Sequence, residues 1–377
     1  MGELFEKGER KVEYVELIYD LIFVYLVSRN VSLLEITEKG FIRPLDFFSY
    51  LASSLAILHI WYQSSLYINH FGNGSLREHL MLFFNMFLLY HMADGIRTDW
   101  GTVYLRYNAA WALILLNLAV NFLLTAKSFP EEDIRRLYGR RQALMLLIEA
   151  LIVLVSIPIY QATGFALAPW ALVFVLVSLI LMRNSEIRLE VDFPHLAERV
   201  MLYIVFTFGE MVLGITGYFD DGFSLMTLYY SLMAFAIVVG LFSAYGHYYN
   251  HLMNPDTKIG GSAYMLLHIV MILALNNITA AMEFMQKPSI PVLPKTFFLA
   301  GSILIFYLCL LGTQRYASFR VENRTRFYTV FLTVAAAYLI AAILLSHNAM
   351  IGIALTVVYI YLQLYSLHYG AKEQTDF

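Results

Sequence analysis

One cysteine in 377 residues, Cys309, leaves no room for an intramolecular disulfide framework or an all-cysteine metal cluster, and suits apolar packing instead. Charge is scarce as well, at 14% of residues, and the formal balance of -3 is small. The basic residues are scattered through connecting segments rather than gathered into a stripe, so nothing points to nucleic acid. There is no Gly-x-Gly-x-x-Gly, no Walker A and no Gly-x-Ser-x-Gly, which removes support for ATP hydrolysis and acyl chemistry. The charged opening, Glu3, Glu6, Lys7, Glu9, Arg10, Lys11 and Glu13, is not followed by a small-residue cleavage site, so the first apolar run is expected to stay as an anchor.

What the chain has in abundance is apolar sequence: 60% of residues are hydrophobic and the mean hydropathy is +0.65, too high for a soluble protein of this size. The lipid bilayer is therefore its first partner. Apolar windows long enough for about 30 Å of hydrocarbon fall near 14–36, 45–68, 79–97, 103–126, 142–160, 165–183, 197–219, 223–247, 262–284, 296–315, 327–346 and 348–368. The fold class expected is an all-α integral membrane protein with about twelve transmembrane helices. Breakers such as Pro44, Gly72-Asn73-Gly74, Gly164 and the run 287–295 separate them.

Most of the 25 Lys and Arg fall in segments on the N-terminal side of the membrane, above all Lys127, Arg135, Arg136, Arg140 and Arg141, then Arg315, Arg320, Arg324 and Arg326. The positive-inside rule then places both termini in the cytoplasm. The basic segment from Lys127 to Arg141 reads as a short helix lying on anionic headgroups. The two halves also echo one another. Glu16 opens the first span and Asn69-His70 closes the second; Glu198 and Asn250-His251 do the same for spans seven and eight at nearly the same interval. That predicts two parallel six-helix repeats, 1–188 and 189–377, related by an axis along the membrane normal.

Glu16 and Asp20 stand i and i+4 within Tyr14-Val15-Glu16-Leu17-Ile18-Tyr19-Asp20-Leu21-Ile22-Phe23-Val24, so both carboxyls share one helix face. A carboxylate in hydrocarbon costs at least about 2.5 to 3.5 kcal/mol on insertion scales and so faces a partner, a cation or a watery path. Two readings compete: a proton- or cation-coupling pair, or an ion pair with Arg199 or Arg141 that fixes helix packing. Glu210 falls near the middle of span seven in a small-residue setting with Gly209, Gly214 and Gly217, and is the foremost single candidate for ion coupling. Glu198 and Arg199 at the start of that span fit helix-dipole and snorkelling roles as well as coupling. His59, His91, Asp94 and Glu149, together with His268, Asn276 and Asn277, are candidates to line a polar cavity. No His-Glu-x-x-His or equivalent offers converging metal ligands, so neither metal nor cofactor is expected. His247 and His251 have metal-like spacing, but their tyrosine neighbours suit an interfacial aromatic belt.

The stretch Glu16-Leu17-Ile18-Tyr19-Asp20-Leu21-Ile22-Phe23-Val24 resembles the opening motif of the bacterial low temperature requirement A family, Glu-Leu-Phe-Phe-Asp-Leu-Val-Phe-Val. His195-Leu196-Ala197-Glu198-Arg199 followed by Gly209-Glu210 is similar to that family's Glu-Arg and Gly-Glu pattern. Ile18-Tyr19 replaces the usual pair of phenylalanines and leaves the carboxylates intact. The resemblance implies a multi-span protein of the bacterial inner membrane, named for a cold-growth phenotype, with no agreed biochemical activity. The function expected from the residues is a proton- or cation-coupled secondary transporter of a small molecule or ion. The segment 69–77 lacks the Gly-x-x-x-Asp-Arg/Lys-x-Gly-Arg/Lys pattern of plain major facilitators. The alternative is a membrane-embedded enzyme acting on a lipid or lipid-linked substrate through His59, His91 and the acids. A channel or scaffold is a third option, and self-association into a homo-oligomer is left open.

Overall fold

The computed structural model describes residues 11–34, 37–38, 40–94, 100–181, 187–219, 222–254, 257, 260–317, 324–345 and 347–372. The charged run at 3–10, Arg320 and the side chain of Asp94 lie outside the described residues. Among the described residues twelve α-helices follow one another: α1 (Tyr14–Asn30), α2 (Pro44–Phe71), α3 (Leu76–Asp94), α4 (Trp100–Lys127), α5 (Ile134–Thr163), α6 (Pro169–Leu181), α7 (Phe193–Thr216), α8 (Leu225–His247), α9 (Ser262–Gln286), α10 (Val292–Gly312), α11 (Arg324–Leu344) and α12 (Ala349–Lys372). Each apolar window contains one of them. Between α1 and α2 lies a small antiparallel hairpin, β1 (Thr37–Glu38) and β2 (Phe41–Ile42), which hydropathy does not signal.

Among the described residues seven helices, α4, α5, α7, α8, α9, α10 and α12, are long and apolar enough to cross a membrane. The chain is thus a multi-span all-α membrane protein, with fewer clear spans than the twelve expected. The shortfall has physical causes. Among the described residues helix α6 has 13 residues, about 20 Å at 1.5 Å per residue. Helix α2 is long enough but carries Ser53, Ser54, His59, Gln63, Ser64, Ser65 and Asn69, all buried.

The chain divides into two compact units, residues Met1–Leu33 with Pro44–Arg199, and Leu34–Arg43 with Val200–Phe377. In the first, α2 packs on α1, α4 and α6, and α4 packs on α3 and α5. Every α2 residue from 56 to 69 is buried, which explains how so many polar side chains persist there: they meet protein groups rather than acyl chains. Helix α1 reverses the amphipathicity of a soluble helix. Ile18, Leu21 and Tyr25 are exposed while Glu16, Tyr19 and Asp20 are buried, so its polar stripe faces inward.

The basic segment after α4 is not a separate surface helix. Asp133 caps the backbone N–H of Arg135, and Arg135, Arg136, Arg140 and Arg141 form the first two turns of α5 itself. Hydrogen bonds from the Arg135 side chain and backbone hold the Asp133 carboxyl below its ordinary range. The helix ends at Gly164, whose φ of 72° is the left-handed conformation that lets its N–H reach Tyr160 O.

In the second unit α9 packs on α10, and α12 packs on α8, α11 and α10. Gly240 sets the approach of α8 to α12, because a Cβ there would stand 2.5 Å from Ile360 Cγ2. The hairpin belongs to this unit: the Phe41 ring lies 6.3 Å from that of Phe284 and 6.1 Å from that of Phe298.

Candidate functional site

Glu16 and Asp20 meet Arg199. The Arg199 Nε donates to Asp20 Oδ2 at 2.9 Å and Nη2 donates to Asp20 Oδ1 at 2.8 Å, while Nη1 reaches Glu16 Oε2 at 3.3 Å. All three side chains are at most 2% exposed. Trp61 of α2 donates its indole N–H to Asp20 Oδ1 at 2.8 Å, a second fixed donor on the same carboxylate. His195, one turn before Arg199, brings Nε2 to 3.4 Å from Glu16 Oε2, within ion-pair range but not aligned as a hydrogen bond. Two acids one turn apart on α1 therefore share one guanidinium, and an imidazole reaches one of them.

Local sequence explains this placement. Asp192 caps α7 by accepting from His195 N at 3.4 Å. The Asn69 amide pairs with the Asp192 backbone in both directions, donating to its carbonyl at 2.8 Å and accepting from its N–H at 3.0 Å. The end of α2 thus fixes where α7 begins, and with it the reach of His195 and Arg199. Behind the acids, the Tyr19 hydroxyl bonds Ser64 at 2.9 Å and accepts from Asn85 at 3.2 Å; Asn117 of α4 donates to Asn85 at 2.8 Å. This polar chain links α1, α2, α3 and α4 inside the first unit.

A second buried pair lies in the same unit. His59 Nδ1 is 3.1 Å from Glu149 Oε1 on α5, and the Gln63 amide sits 3.0 Å from His59 Nε2. His59 Nδ1 and Glu149 Oε1 are within ion-pair range but not aligned as a hydrogen bond; if Gln63 donates, the ring proton resides on Nδ1.

The other sequence candidates are placed elsewhere. Glu198 is half-buried beside Arg199. Glu210 is half-buried and three turns farther along α7 than Arg199, about 16 Å by helical rise. His91, near the end of α3, accepts from Arg106 at 3.0 to 3.3 Å in an exposed setting. Asp94 ends α3. In the second unit His268 bonds Tyr264 O at 2.8 Å and the Tyr245 hydroxyl at 3.3 Å, and Asn276 donates to Ile272 O of its own helix. Asn277 is half-buried and its Oδ1 lacks a hydrogen-bond partner. His247 has ring contacts at 5.2 Å with both His251 and His368, next to a turn of π-helix at Tyr248–Leu252. No three His, Cys, Asp or Glu among the described residues are grouped to hold a metal ion.

Trp61, His195, Tyr19 and Asn69 were not singled out as site residues from sequence. His195 did stand inside the quoted motif, four residues before Arg199. Asn69 had a signal in the repeat pattern, but its role depends on a contact 123 residues away.

The family comparison fits this geometry, since the acids of α1 and the Glu-Arg motif of α7 are the residues that meet. The chain matches the bacterial low temperature requirement A protein (LtrA) family over residues 11–363. It belongs to that family. Comparisons with curated proteins and with solved structures gave no match. In this LtrA chain the two family motifs, far apart in sequence, form a single buried ionic cluster.

Proposed function

We propose that the protein is a proton-coupled secondary transporter in which Glu16, Asp20, Arg199 and His195 form the coupling centre. One observation carries the reading: two buried carboxylates compete for one guanidinium while an imidazole touches only Glu16. Asp20 has two donors from Arg199 and one from Trp61, which makes it the fixed counter-ion. Arg199 gives Glu16 one nitrogen, at 3.3 Å. A proton arriving at Glu16 weakens the tie between α1 and α7 without breaking the Asp20 pair, whereas one held on His195 adds a second cation facing Glu16, so proton position changes how firmly the two helices are joined. Glu198 and Glu210 lie along the same helix, α7.

Transport by two parallel six-helix repeats, 1–188 and 189–377, is the architecture we assign to it. The pattern of neighbours supports this. In the first half α3 packs on α4, α4 on α5, α5 on α6 and α2 on α6; in the second, α9 packs on α10, α10 on α11, α11 on α12 and α8 on α12. We place the protein in the bacterial inner membrane with both termini cytoplasmic, from the charge bias of its connecting segments.

For the alternative, a membrane-embedded enzyme acting on a lipid or lipid-linked substrate, His59 and His91 do not gather with a third ligand among the described residues. The test needs no known substrate. Purified protein in proteoliposomes on a solid-supported membrane is subjected to rapid pH steps and the charge movement recorded. A coupled carrier gives transient currents that Glu16→Gln abolishes. Sustained current would indicate a channel, and absence of any current in the parent would refute proton coupling.

A further inference from the structure

One opening in the first unit holds none of the ionic residues. A cavity of about 790 Å³ lies among the N-terminal halves of α2 and α4, the end of α5 and the start of α6. Tyr104, Tyr107 and Trp111 form its inner wall, each at most 4% exposed, whereas Phe48, Phe165 and Trp170 stand more than half exposed at its rim. The Tyr104 and Tyr160 rings stack 3.8 Å apart with an 11° tilt. No lining residue is Lys, Arg, His, Asp or Glu, and the polar side-chain groups present are hydroxyls, the Asn108 amide and the indole N–H groups of Trp111 and Trp170.

Trp111 supplies the second observation. It is 2% exposed, and its indole N–H has no hydrogen-bond partner. Buried donors of this kind are rarely left unmet, so an acceptor is missing from this wall. The cavity volume matches sites that enclose drug-sized molecules.

We propose that this cavity binds an uncharged, ring-bearing molecule whose oxygen or nitrogen acceptor meets the Trp111 N–H, the ring itself packing against the Tyr104 and Tyr160 faces. Aromatic walls favour flat rings in offset or edge contacts. An ionised ligand would lose its hydration here without a counter-charge, and a lipid phosphate would find no cation. The site is distinct from the Glu16 cluster: its α2 residues run from Leu45 to Ala56, and the acid contact follows at Trp61.

Binding is read without transport, so its outcome is independent of the coupling proposal. The full chain in phosphatidylcholine nanodiscs is titrated with bromonaphthol, a neutral ring whose bromine quenches tryptophan fluorescence, the reporters being Trp111 and Trp170. Saturable quenching is expected. Ala52→Phe, which fills the cavity, should weaken it about tenfold, equivalent to about 1.4 kcal/mol. Trp111→Phe keeps the volume, loses the donor, and should weaken binding severalfold as read from Trp170; it decides the matter should Ala52→Phe not fold. Quenching that neither variant alters would mean partition into the bilayer and would overturn the proposal. Equal competition by bromonaphthalene sulfonate would overturn the uncharged class. Stronger quenching by brominated acyl chains in the parent than in Ala52→Phe would identify the occupant as a lipid tail instead.

Discussion

Arg199 grips Asp20 with two nitrogens, at 2.8 and 2.9 Å, and gives Glu16 only one, at 3.3 Å. Under the coupling proposal this inequality makes Asp20 the structural acid and Glu16 the exchangeable one. Buried ion pairs contribute little net stability against an apolar replacement, yet removing one partner strands the other charge. Arg199→Gln should therefore destabilise the protein by about 3–5 kcal/mol in thermal or denaturant unfolding, and Asp20→Asn by a comparable amount. The double variant should lose much less than the sum, which a double-mutant cycle measures.

Asn69→Ala removes both hydrogen bonds to the Asp192 backbone. The expected loss is about 1–2 kcal/mol of stability, with faster amide exchange at Asp192 and His195. Unchanged exchange there would show that the start of α7 is fixed by other contacts.

The His59 and Glu149 pair should respond to which partner is cut. Glu149→Gln keeps an acceptor near His59 and is expected to be mild. Glu149→Leu leaves the imidazole proton buried without one and should cost about 1–3 kcal/mol. Equal losses in the two variants would mean that shape, not hydrogen bonding, matters at this position.

Gly240→Ala places a methyl against Ile360, and overpacking of this kind costs about 1–3 kcal/mol. Pairing it with Ile360→Val, which removes a methyl group from the facing side chain, should restore part of the loss. No recovery would place the strain elsewhere.

Much of this was legible in the sequence because hydropathy and helical spacing are local. The apolar windows located the helices, and the i, i+4 spacing of Glu16 and Asp20 put them on one face. The choice of partner was not legible. Arg199 and Arg141 were equal candidates by type; in the fold Arg141 lies over the Tyr138 ring at 5.5 Å, while Arg199 meets the acids. Trp61 gave no signal, since an indole in an apolar run reads as packing until its N–H is seen to reach Asp20. Glu210 drew attention through depth in its span, but depth along a helix says nothing about distance from a cluster at the helix start. The hairpin at 37–42 was missed because strands of two residues have no periodicity to detect.

The most direct test of proton exchange at the cluster is infrared titration of the purified protein in nanodiscs, comparing parent, Glu16→Gln and Asp20→Asn. The account predicts a protonated-carboxyl band that grows as pH falls, shifts in heavy water, and is absent from Glu16→Gln but retained in folded Asp20→Asn. The same band in Glu16→Gln as in the parent would contradict it.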